Sequence, residues 1–403
     1  MNPDLQKLQP YPFEKLKALK DGCRPGVEGH IALSIGEPRH EAPGFVLDCI
    51  RDNLEQINRY PLTKGDAGLR QAICNWLSRR FSLPEDALDP DRHVLPVTGT
   101  REALFSFAQC MIDRTDGLPD NAPLILMPNP FYQIYEGAAF LSGARPRFYN
   151  TLKENSYLPD FDAIDEATWQ RCQIIYICTP GNPTGSVISQ AQLTRLIELA
   201  AKHDFIIASD ECYSEIYFDD SQPPPGLLQA AQACGNTRFR NCMVFHSLSK
   251  RSNLPGMRSG FVAGDAELLR NYLLYRTYHG CAMPPVHQLA STVAWNDETH
   301  VRQNRERYRK KFDAVTDILK PVIDVQLPDA GFYLWLNTPV DDERFARELF
   351  EQQNVTVLPG SYLSRESDGI NPGSRHVRMA LVAPLEECIT AAKRIRQYIE
   401  SLN

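Results

Sequence analysis

The sequence has no apolar segment long enough to cross a bilayer, and residues 1–22 have no apolar core of the kind found in signal peptides. It also has no long run of charges of one sign, although its 403 residues carry a formal net charge of −7. We therefore expect neither a nucleic-acid-binding surface nor association with a membrane.

Metal-binding spacings are also missing. The 11 cysteines include no Cys-x-x-Cys pair and the nine histidines include no His-Glu-x-x-His pattern, so no metal site is predicted. An odd number of scattered cysteines favours reduced thiols over a disulfide framework, and hence a cytoplasmic protein.

The middle of the sequence alternates buried strands with amphipathic helices. Continuous apolar runs at 124–127, 174–178, 205–208 and 243–245 are typical of strands covered on both faces. Between the second and third runs, residues 193–200 have apolar side chains at the i, i+3, i+4, i+7 spacing of a helix. This pattern predicts an α/β fold with a mostly parallel sheet, in which ligands bind beyond the carboxyl ends of the strands.

The last third of the sequence predicts a smaller α+β domain. Helical segments at 301–319, 343–353 and 385–402 alternate with apolar strands at 329–336 and 377–382. The predicted division is an N-terminal segment that packs with the small domain (1–45), a large domain (46–285) and a small C-terminal domain (286–403).

A short stretch after the run at 243–245 combines an amine, two hydroxyls and a guanidinium. These groups belong to Lys250, Ser247, Ser249 and Arg258. An amine can form a Schiff base with a carbonyl, while hydroxyls and a guanidinium can bind a phosphate. A carbonyl compound that carries a phosphate is a description of pyridoxal phosphate.

Other predicted strands also end in, or contain, polar groups. Asp210 could hold a protonated pyridine nitrogen or act as a helix N-cap. Tyr213 could donate to a phenolic oxygen or be a packed aromatic, and Asn182, between prolines, could face a ligand or belong to a turn. Arg378 lies within an apolar strand and needs a carboxylate partner, from either the substrate or the protein.

Five further residues could also contact a cofactor. Gly99, Thr100 and Arg101 begin a predicted helix, whose first amides suit a phosphate as well as an ordinary cap. Tyr132 could stack on a flat ring or pack in the core. Tyr60 could present its hydroxyl to a phosphate or lie in a surface turn.

Together, and in this order, these motifs resemble the fold-type I pyridoxal-phosphate aminotransferases, the aspartate aminotransferase family. The matching segments are 33–38, 60–70, 182–185, 210–213 and 247–250 with Arg258, and the match ends at Arg378. The resemblance covers nearly the whole chain. It implies the type I fold of these transferases, with a mostly parallel seven-stranded sheet sandwiched by helices, and pyridoxal 5′-phosphate as the cofactor.

The resemblance also implies a role for each ring-side residue. Lys250 is implied as the Schiff-base lysine and general base, and Asp210 as the partner of the pyridine nitrogen. Asn182 and Tyr213 are implied at the phenolic oxygen. Tyr132 is implied at the ring-stacking position, where many relatives have Trp or Phe.

The phosphate and substrate sites follow from the same resemblance. Residues implied to bind the phosphate are Ser247, Ser249, Arg258, Gly99, Thr100 and Arg101. Gly36 and Arg378 are implied to hold the substrate α-carboxylate. Tyr60 resembles a tyrosine that reaches the phosphate of the neighbouring subunit, so a homodimer is implied.

Within the family, residues 249–265, 11–16 and 357–363 are most similar to bacterial N-succinyldiaminopimelate aminotransferases of lysine biosynthesis. This implies transfer between glutamate or 2-oxoglutarate and N-succinyl-2-amino-6-oxopimelate or N-succinyl-LL-2,6-diaminopimelate. The alternatives are an aromatic, alanine or kynurenine aminotransferase, a carbon–sulfur β-lyase, and a regulatory module that uses an aminotransferase-like domain. Arg24 and Arg39 are candidates for binding the further carboxylates of the acceptor or are solvated surface residues. Arg251 is a third candidate, adjacent to Lys250 in sequence, and its direction is left open.

Overall fold

The computed structural model describes residues 1–114 and 122–402. Its strands are β1 (Ile31–Ala32), β2 (Val94–Val97), β3 (Leu124–Asn129), β4 (Arg145–Asn150), β5 (Cys172–Cys178), β6 (Ile206–Asp210), β7 (Cys242–Ser247), β8 (Gly260–Gly264), β9 (Tyr333–Asn337), β10 (Val355–Thr356), β11 (Leu358–Pro359) and β12 (His376–Ala380).

The helices along the same chain are α1 (Pro12–Leu19), α2 (Gly44–Asp52), α3 (Ala67–Phe81), α4 (Thr100–Met111), α5 (Gln133–Ser142), α6 (Glu166–Arg171), α7 (Gln190–His203), α8 (Leu227–Ala233), α9 (Leu248–Arg251), α10 (Ala266–His279), α11 (Pro285–Asn296), α12 (Thr299–Leu319), α13 (Asp342–Gln353) and α14 (Leu385–Ser401). None of those within the described ranges is long and apolar enough to cross a membrane.

A seven-stranded sheet forms the centre of the molecule, in the order β2-β8-β7-β6-β5-β3-β4. Its strands run parallel except β8, which is antiparallel to both of its neighbours. The prediction of a mostly parallel seven-stranded sheet is confirmed.

Helices cover both faces of this sheet because each central strand is apolar on both sides. Ile175 and Ile177 of β5 enter one core together with residues of α3, α7, α8 and α11. Ile174 and Tyr176 of the same strand enter the other core, against α4, α5 and α10. A fully buried side chain of this size contributes about 1.5–3 kcal/mol to folding.

Local sequence signals determine where the covering helices begin and end. α7 begins with a capping box, in which Ser189 Oγ accepts from the backbone of Gln192 and the Gln192 side chain accepts from the backbone of Ser189. The same helix ends at Asp204, which adopts the left-handed conformation with φ +58°. The predicted helical spacing at 193–200 lies inside α7.

The C-terminal part has its own core, formed by α12, α13, α14 and a small antiparallel sheet in the order β11-β12-β9. Near the N-terminus, β1 pairs in parallel with β10 of this part. The predicted strand at 329–336 begins four residues too early. Ala330 instead bridges to Tyr217, and Gly331 has φ +85°, which interrupts the extended backbone.

The proposed domain boundary at residue 285 coincides with the start of α11, whose buried residues join the core beneath the large sheet. α12 follows directly and extends into the C-terminal core. The divisions after residues 45 and 285 stay predictions.

Candidate active site

One open cavity lies beyond the carboxyl ends of β5, β6 and β7, where a parallel sheet places its ligands. Its volume, including the solvent-filled mouth, is about 1180 Å³. Asp210 is the last residue of β6 and Ser247 the last of β7, so strand register brings both side chains to this edge. The chain then turns into the single-turn helix α9, which carries Lys250.

Lys250 enters the cavity with its amine directed at the segment that follows β1. Nζ donates to the carbonyl oxygen of Gly36 and lies 5.3 Å from the ring centroid of Phe332. Burial lowers the pKa of Lys250 to about 8, and the positive charges of Arg378 and Arg258 lower it as well. This amine therefore loses its proton more readily than an ordinary lysine does, which suits a nucleophile or a base.

The start of α4 and the turn after α9 form a cradle suited to a phosphate. Gly99 has φ +94°, and a Cβ at this position would collide with the guanidinium of Arg258. Among the residues that the structure describes, none caps α4 with its side chain, so the first amides of this helix are available to a ligand. Ser247 Oγ lies 2.9 Å from Ser249 Oγ, which brings two hydroxyls to the same wall. These residues fit a phosphate group.

Asp210 is buried and its hydrogen-bond donors are uncharged. Tyr135 Oη donates to Oδ2 at 2.8 Å, and the backbone nitrogen of Cys212 donates to Oδ1 at 3.3 Å. Burial raises the pKa of Asp210, and these hydrogen bonds oppose that rise. A protonated pyridine nitrogen is a cationic partner that would stabilise the ionised carboxylate, so this wall also fits the cofactor.

Arg378 crosses the opposite side of the cavity. Its Nη1 donates to Asn182 Oδ1 at 2.9 Å and its Nη2 to the carbonyl oxygen of Ser34 at 2.8 Å. Within the described part of the chain, the buried Nε has no hydrogen-bond partner. The guanidinium also lies over the ring of Tyr333, 4.4 Å from its centroid. A carboxylate is a suitable partner for such a group.

Two tyrosines connect this arginine to the lysine side of the cavity. Tyr213 Oη lies 3.0 Å from Tyr333 Oη, and burial raises the pKa of Tyr213, so the phenol stays protonated. A Cβ on Gly36 would collide with the hydroxyl of Tyr333. Glycine at this position is therefore required for the close approach of Gly36 to the cavity.

The predicted site residues converge on this cavity with two exceptions. Those that line it are Gly36, Thr100, Arg101, Tyr132, Asn182, Asp210, Tyr213, Ser247, Ser249, Lys250, Arg258 and Arg378. Gly99 lies directly behind Arg258. Tyr60 lies elsewhere on this chain and is fully exposed, with a relative accessibility of 102%.

The structure adds residues that the sequence motifs did not identify. Tyr135 contacts Asp210, and Tyr333 contacts Tyr213 and Arg378. Tyr11 and Gln133 line the mouth. Tyr135 follows Tyr132 by three residues, the spacing of helix neighbours, and this was the signal that could have identified it.

Comparisons with known proteins agree with this geometry. Residues 28–395 match the family described as Aminotransferase class I and II. The LL-diaminopimelate aminotransferase of Nitratidesulfovibrio vulgaris (strain Miyazaki F) is 31% identical over 398 residues, 97% of each chain. An aminotransferase structure from Neisseria meningitidis has a TM-score of 0.93 and 48% identity over all of both chains. A probable N-succinyldiaminopimelate aminotransferase from Thermus thermophilus has a TM-score of 0.82 and 26% identity, covering 96% of this chain and 99% of its own.

Proposed function

The chain belongs to the class I and II aminotransferases, which depend on pyridoxal phosphate, and on that basis we propose the donor and the acceptor of the amino group. The proposed reaction is transamination between glutamate and N-succinyl-2-amino-6-oxopimelate, which gives 2-oxoglutarate and N-succinyl-LL-2,6-diaminopimelate. Such an enzyme is a succinyldiaminopimelate transaminase of lysine biosynthesis.

The proposed roles follow from the groups around the cavity. When bound, pyridoxal phosphate supplies an aldehyde for an amine and a ring that accepts the electrons released at the substrate α-carbon. Lys250 would hold the cofactor covalently and then, as a free amine, move a proton from the α-carbon. Asp210 would keep the pyridine nitrogen protonated, with Tyr135 orienting its carboxylate. Arg378 would bind the substrate α-carboxylate, with Asn182 fixing the guanidinium.

The charge of the cavity is the observation that carries the choice of acceptor. Arg101, Lys250, Arg258 and Arg378 line it, and Asp210 is the one carboxylate among the lining residues of the described chain. The succinylated acceptor carries three carboxylates and no free amine. In direct transamination of LL-diaminopimelate one amino group reacts with the cofactor, and the other, as an ammonium, would require an acidic or carbonyl partner. Lys250, Arg258 and Arg378 are assigned to the cofactor and the α-carboxylate, which both candidates share. The choice therefore rests on the Arg101 side chain and on the lack of a second carboxylate among the described lining residues, which together favour the more anionic molecule.

The Arg101 side chain is the proposed contact for a carboxylate beyond the reacting centre, while its backbone amide would face the phosphate. Its guanidinium carbon lies 5.1 Å from the ring centroid of Tyr11, at the cavity mouth. The earlier candidates are less suitable. Arg39 forms a two-point ion pair with Glu387 at 2.6 and 3.2 Å, and Arg24 is exposed outside the lining of the described chain.

Arg251, the candidate adjacent to Lys250 in sequence, points into the core. Its guanidinium carbon lies 5.6 Å from the ring centroid of Trp76 and 4.8 Å from that of Trp295. It also donates to Glu298 at 2.6 Å. This arginine is therefore not a suitable ligand for a substrate.

Direct transamination of LL-diaminopimelate is the second candidate, because relatives about 30% identical carry that name. A single-turnover experiment separates the two candidates: the pyridoxamine form of the protein is mixed with a panel of keto acids. We expect the succinylated keto acid to restore the aldehyde-form absorbance fastest at low concentration. Faster recovery with the unsuccinylated keto acid would overturn the proposal, while pyruvate and ammonia from cystathionine alone would indicate a β-lyase.

We also propose that the enzyme is a homodimer in which Tyr60 reaches the phosphate of the partner's cofactor. In this chain Tyr60 is exposed within a segment that also exposes Leu54, Ile57 and Leu62. A cluster of exposed apolar side chains is typical of an interface. The cytoplasm stays the proposed location, in keeping with eleven free cysteines.

A further inference from the structure

The helix that carries Lys250 depends on a residue from another element for its last hydrogen bonds. α9 is a single turn, and the final carbonyls of any helix have no donor within that helix. Asn304 Nδ2 donates to the carbonyl oxygen of Lys250 at 3.2 Å and to that of Arg251 at 3.4 Å. Asn304 is 2% exposed and belongs to the second turn of α12. Its amide therefore fixes the end of the lysine-bearing turn to the long helix α12.

The carbonyl oxygens of Lys250 and Arg251 determine which way this amide points, because they can only accept. Asn253 Nδ2 donates to Asn304 Oδ1 at 3.1 Å, and His40 Nδ1 lies 2.8 Å from the same oxygen. An amide oxygen only accepts, so His40 Nδ1 carries the proton. The flipped amide would place its NH₂ against two donors and its oxygen against two carbonyls, and is therefore excluded. His40 is thus an orienting partner of Asn304.

The side chain of Lys250 is hydrogen-bonded to the chain segment that contains His40. We call residues 33–40 the strap. Its Ser34 carbonyl accepts from Arg378 at 2.8 Å, its Gly36 carbonyl accepts from Lys250 Nζ, and its His40 donates to Asn304. The strap therefore contacts the arginine, the lysine amine and, through Asn304, the lysine backbone. Asn304 and His40 are themselves absent from the cavity lining of the described chain.

We propose that Asn304 is a positioning residue for Lys250, and that His40 keeps Asn304 in the orientation that makes this possible. The inference rests on the role proposed above for Lys250. Because Nζ lies at the end of a long side chain, a small rotation of the α9 turn displaces it from the substrate α-carbon. A misplacement of about 1 Å can reduce a rate on the order of 10²-fold.

The test compares Asn304→Ala and His40→Ala with a matched control, Asn236→Ala. The Asn236 amide also bonds backbone groups, donating to the Arg240 carbonyl at 3.0 Å and accepting from the Arg240 nitrogen at 2.9 Å, but outside the cavity lining of the described residues. In single turnovers with glutamate and α-deuterated glutamate, Asn304→Ala should slow the half-reaction roughly 10- to 100-fold and increase the deuterium isotope effect. Glutamate affinity should change less than about threefold.

Two further measurements separate positioning from general loss of structure. Apoprotein of Asn304→Ala should capture pyridoxal phosphate more slowly than wild type, as followed by absorbance, while Asn236→Ala should capture it at the wild-type rate. His40→Ala should show a smaller effect of the same kind, and His40→Asn, which keeps a donor, should recover most of the rate. If Asn304→Ala does not fold, Asn304→Asp replaces it. This variant keeps an acceptor oxygen but loses the NH₂ donors, so it should show the same slower half-reaction and slower cofactor capture.

Each outcome decides the inference. A wild-type isotope effect and capture rate in folded Asn304→Ala would overturn it, and so would an equal loss in Asn236→Ala. Failure of His40→Asn to recover any rate lost in His40→Ala would overturn the orienting role. If the wild-type protein itself showed no half-reaction with glutamate, the proposed function would fail together with this inference, which is a distinguishable result.

Discussion

Replacing Tyr135 with phenylalanine removes one hydroxyl from a fully buried side chain and weakens the support of Asp210. The Tyr135 hydroxyl donates to Asp210 Oδ2 at 2.8 Å, so its loss leaves the carboxylate with the amide of Cys212, at 3.3 Å from Oδ1, and with the Cys212 side chain. The phenyl ring should stay in place, because it stacks on Tyr176 with a centroid separation of 4.6 Å. The perturbation is therefore confined to one hydrogen bond.

The expected size of the effect depends on the charge of Asp210. A hydrogen bond to a charged group contributes about 1.5–3 kcal/mol, equivalent to about 1–2 pKa units. Burial raises the pKa of Asp210 and the bond from Tyr135 lowers it, so the substitution raises it further. A carboxyl whose pKa is raised on folding has its full stability contribution below its unfolded pKa and loses it as the pH rises through the folded pKa. Tyr135→Phe should therefore destabilise the apoprotein more at about pH 8 than at about pH 5.

Urea unfolding of the apoprotein, followed by circular dichroism at both pH values, measures this difference. Tyr149→Phe is the matched control, because the Tyr149 hydroxyl is also buried but donates to the uncharged carbonyl of Tyr176 at 2.8 Å. We expect the control to lose about 1 kcal/mol at either pH. The reasoning would be refuted if Tyr135→Phe lost the same free energy of unfolding at both pH values, or if both variants had the same pH dependence.

The remaining predictions concern substrate and cofactor binding. Arg101→Gln should weaken the binding of keto acids with a distal carboxylate by about tenfold or more, and should change the binding of pyruvate less than about threefold. Equal losses of affinity for all acids in steady-state kinetics would exclude the proposed contact. Arg378→Lys loses the two-pronged guanidinium, so kcat/KM should fall on the order of 10²-fold for every substrate, with the cofactor absorbance unchanged; a fall confined to one substrate would contradict the α-carboxylate role. If Tyr60 acts across a dimer interface, mixing Tyr60→Ala with Lys250→Ala chains should give more activity than the average of the two, because some mixed sites are intact; no gain after subunit exchange would count against it.

Asp210, Ser247 and Lys250 could be predicted from sequence because each comes at, or just after, the end of a continuous apolar strand. Parallel strands end at one edge of a sheet, so strand register alone brings these side chains together. The same reasoning predicted the sheet itself. This reasoning uses the apolar pattern along each segment, which does not depend on how distant segments pack.

Tyr135 and Tyr333 could not be assigned in this way. A tyrosine fits an apolar pattern whether its hydroxyl is bonded or not, and only the packing of distant elements brings these hydroxyls to Asp210 and Tyr213. Arg251 is the opposite case, a candidate suggested by its position in the sequence alone. It follows Lys250 in sequence, but one residue along a helix is a rotation of about 100°, which turns this side chain into the core.

Borohydride reduction of the cofactor-loaded protein, followed by mass spectrometry of its peptides, tests the central claim most directly. Reduction fixes a lysine-bound cofactor to the chain, so we expect the added mass on the peptide that contains Lys250. In Lys250→Ala the mass should be absent and the half-reaction should slow by roughly 10²–10⁴-fold, the contribution of a positioned proton-transfer group. A label on another lysine, or transamination by Lys250→Ala at the wild-type rate, would contradict the assignment of Lys250.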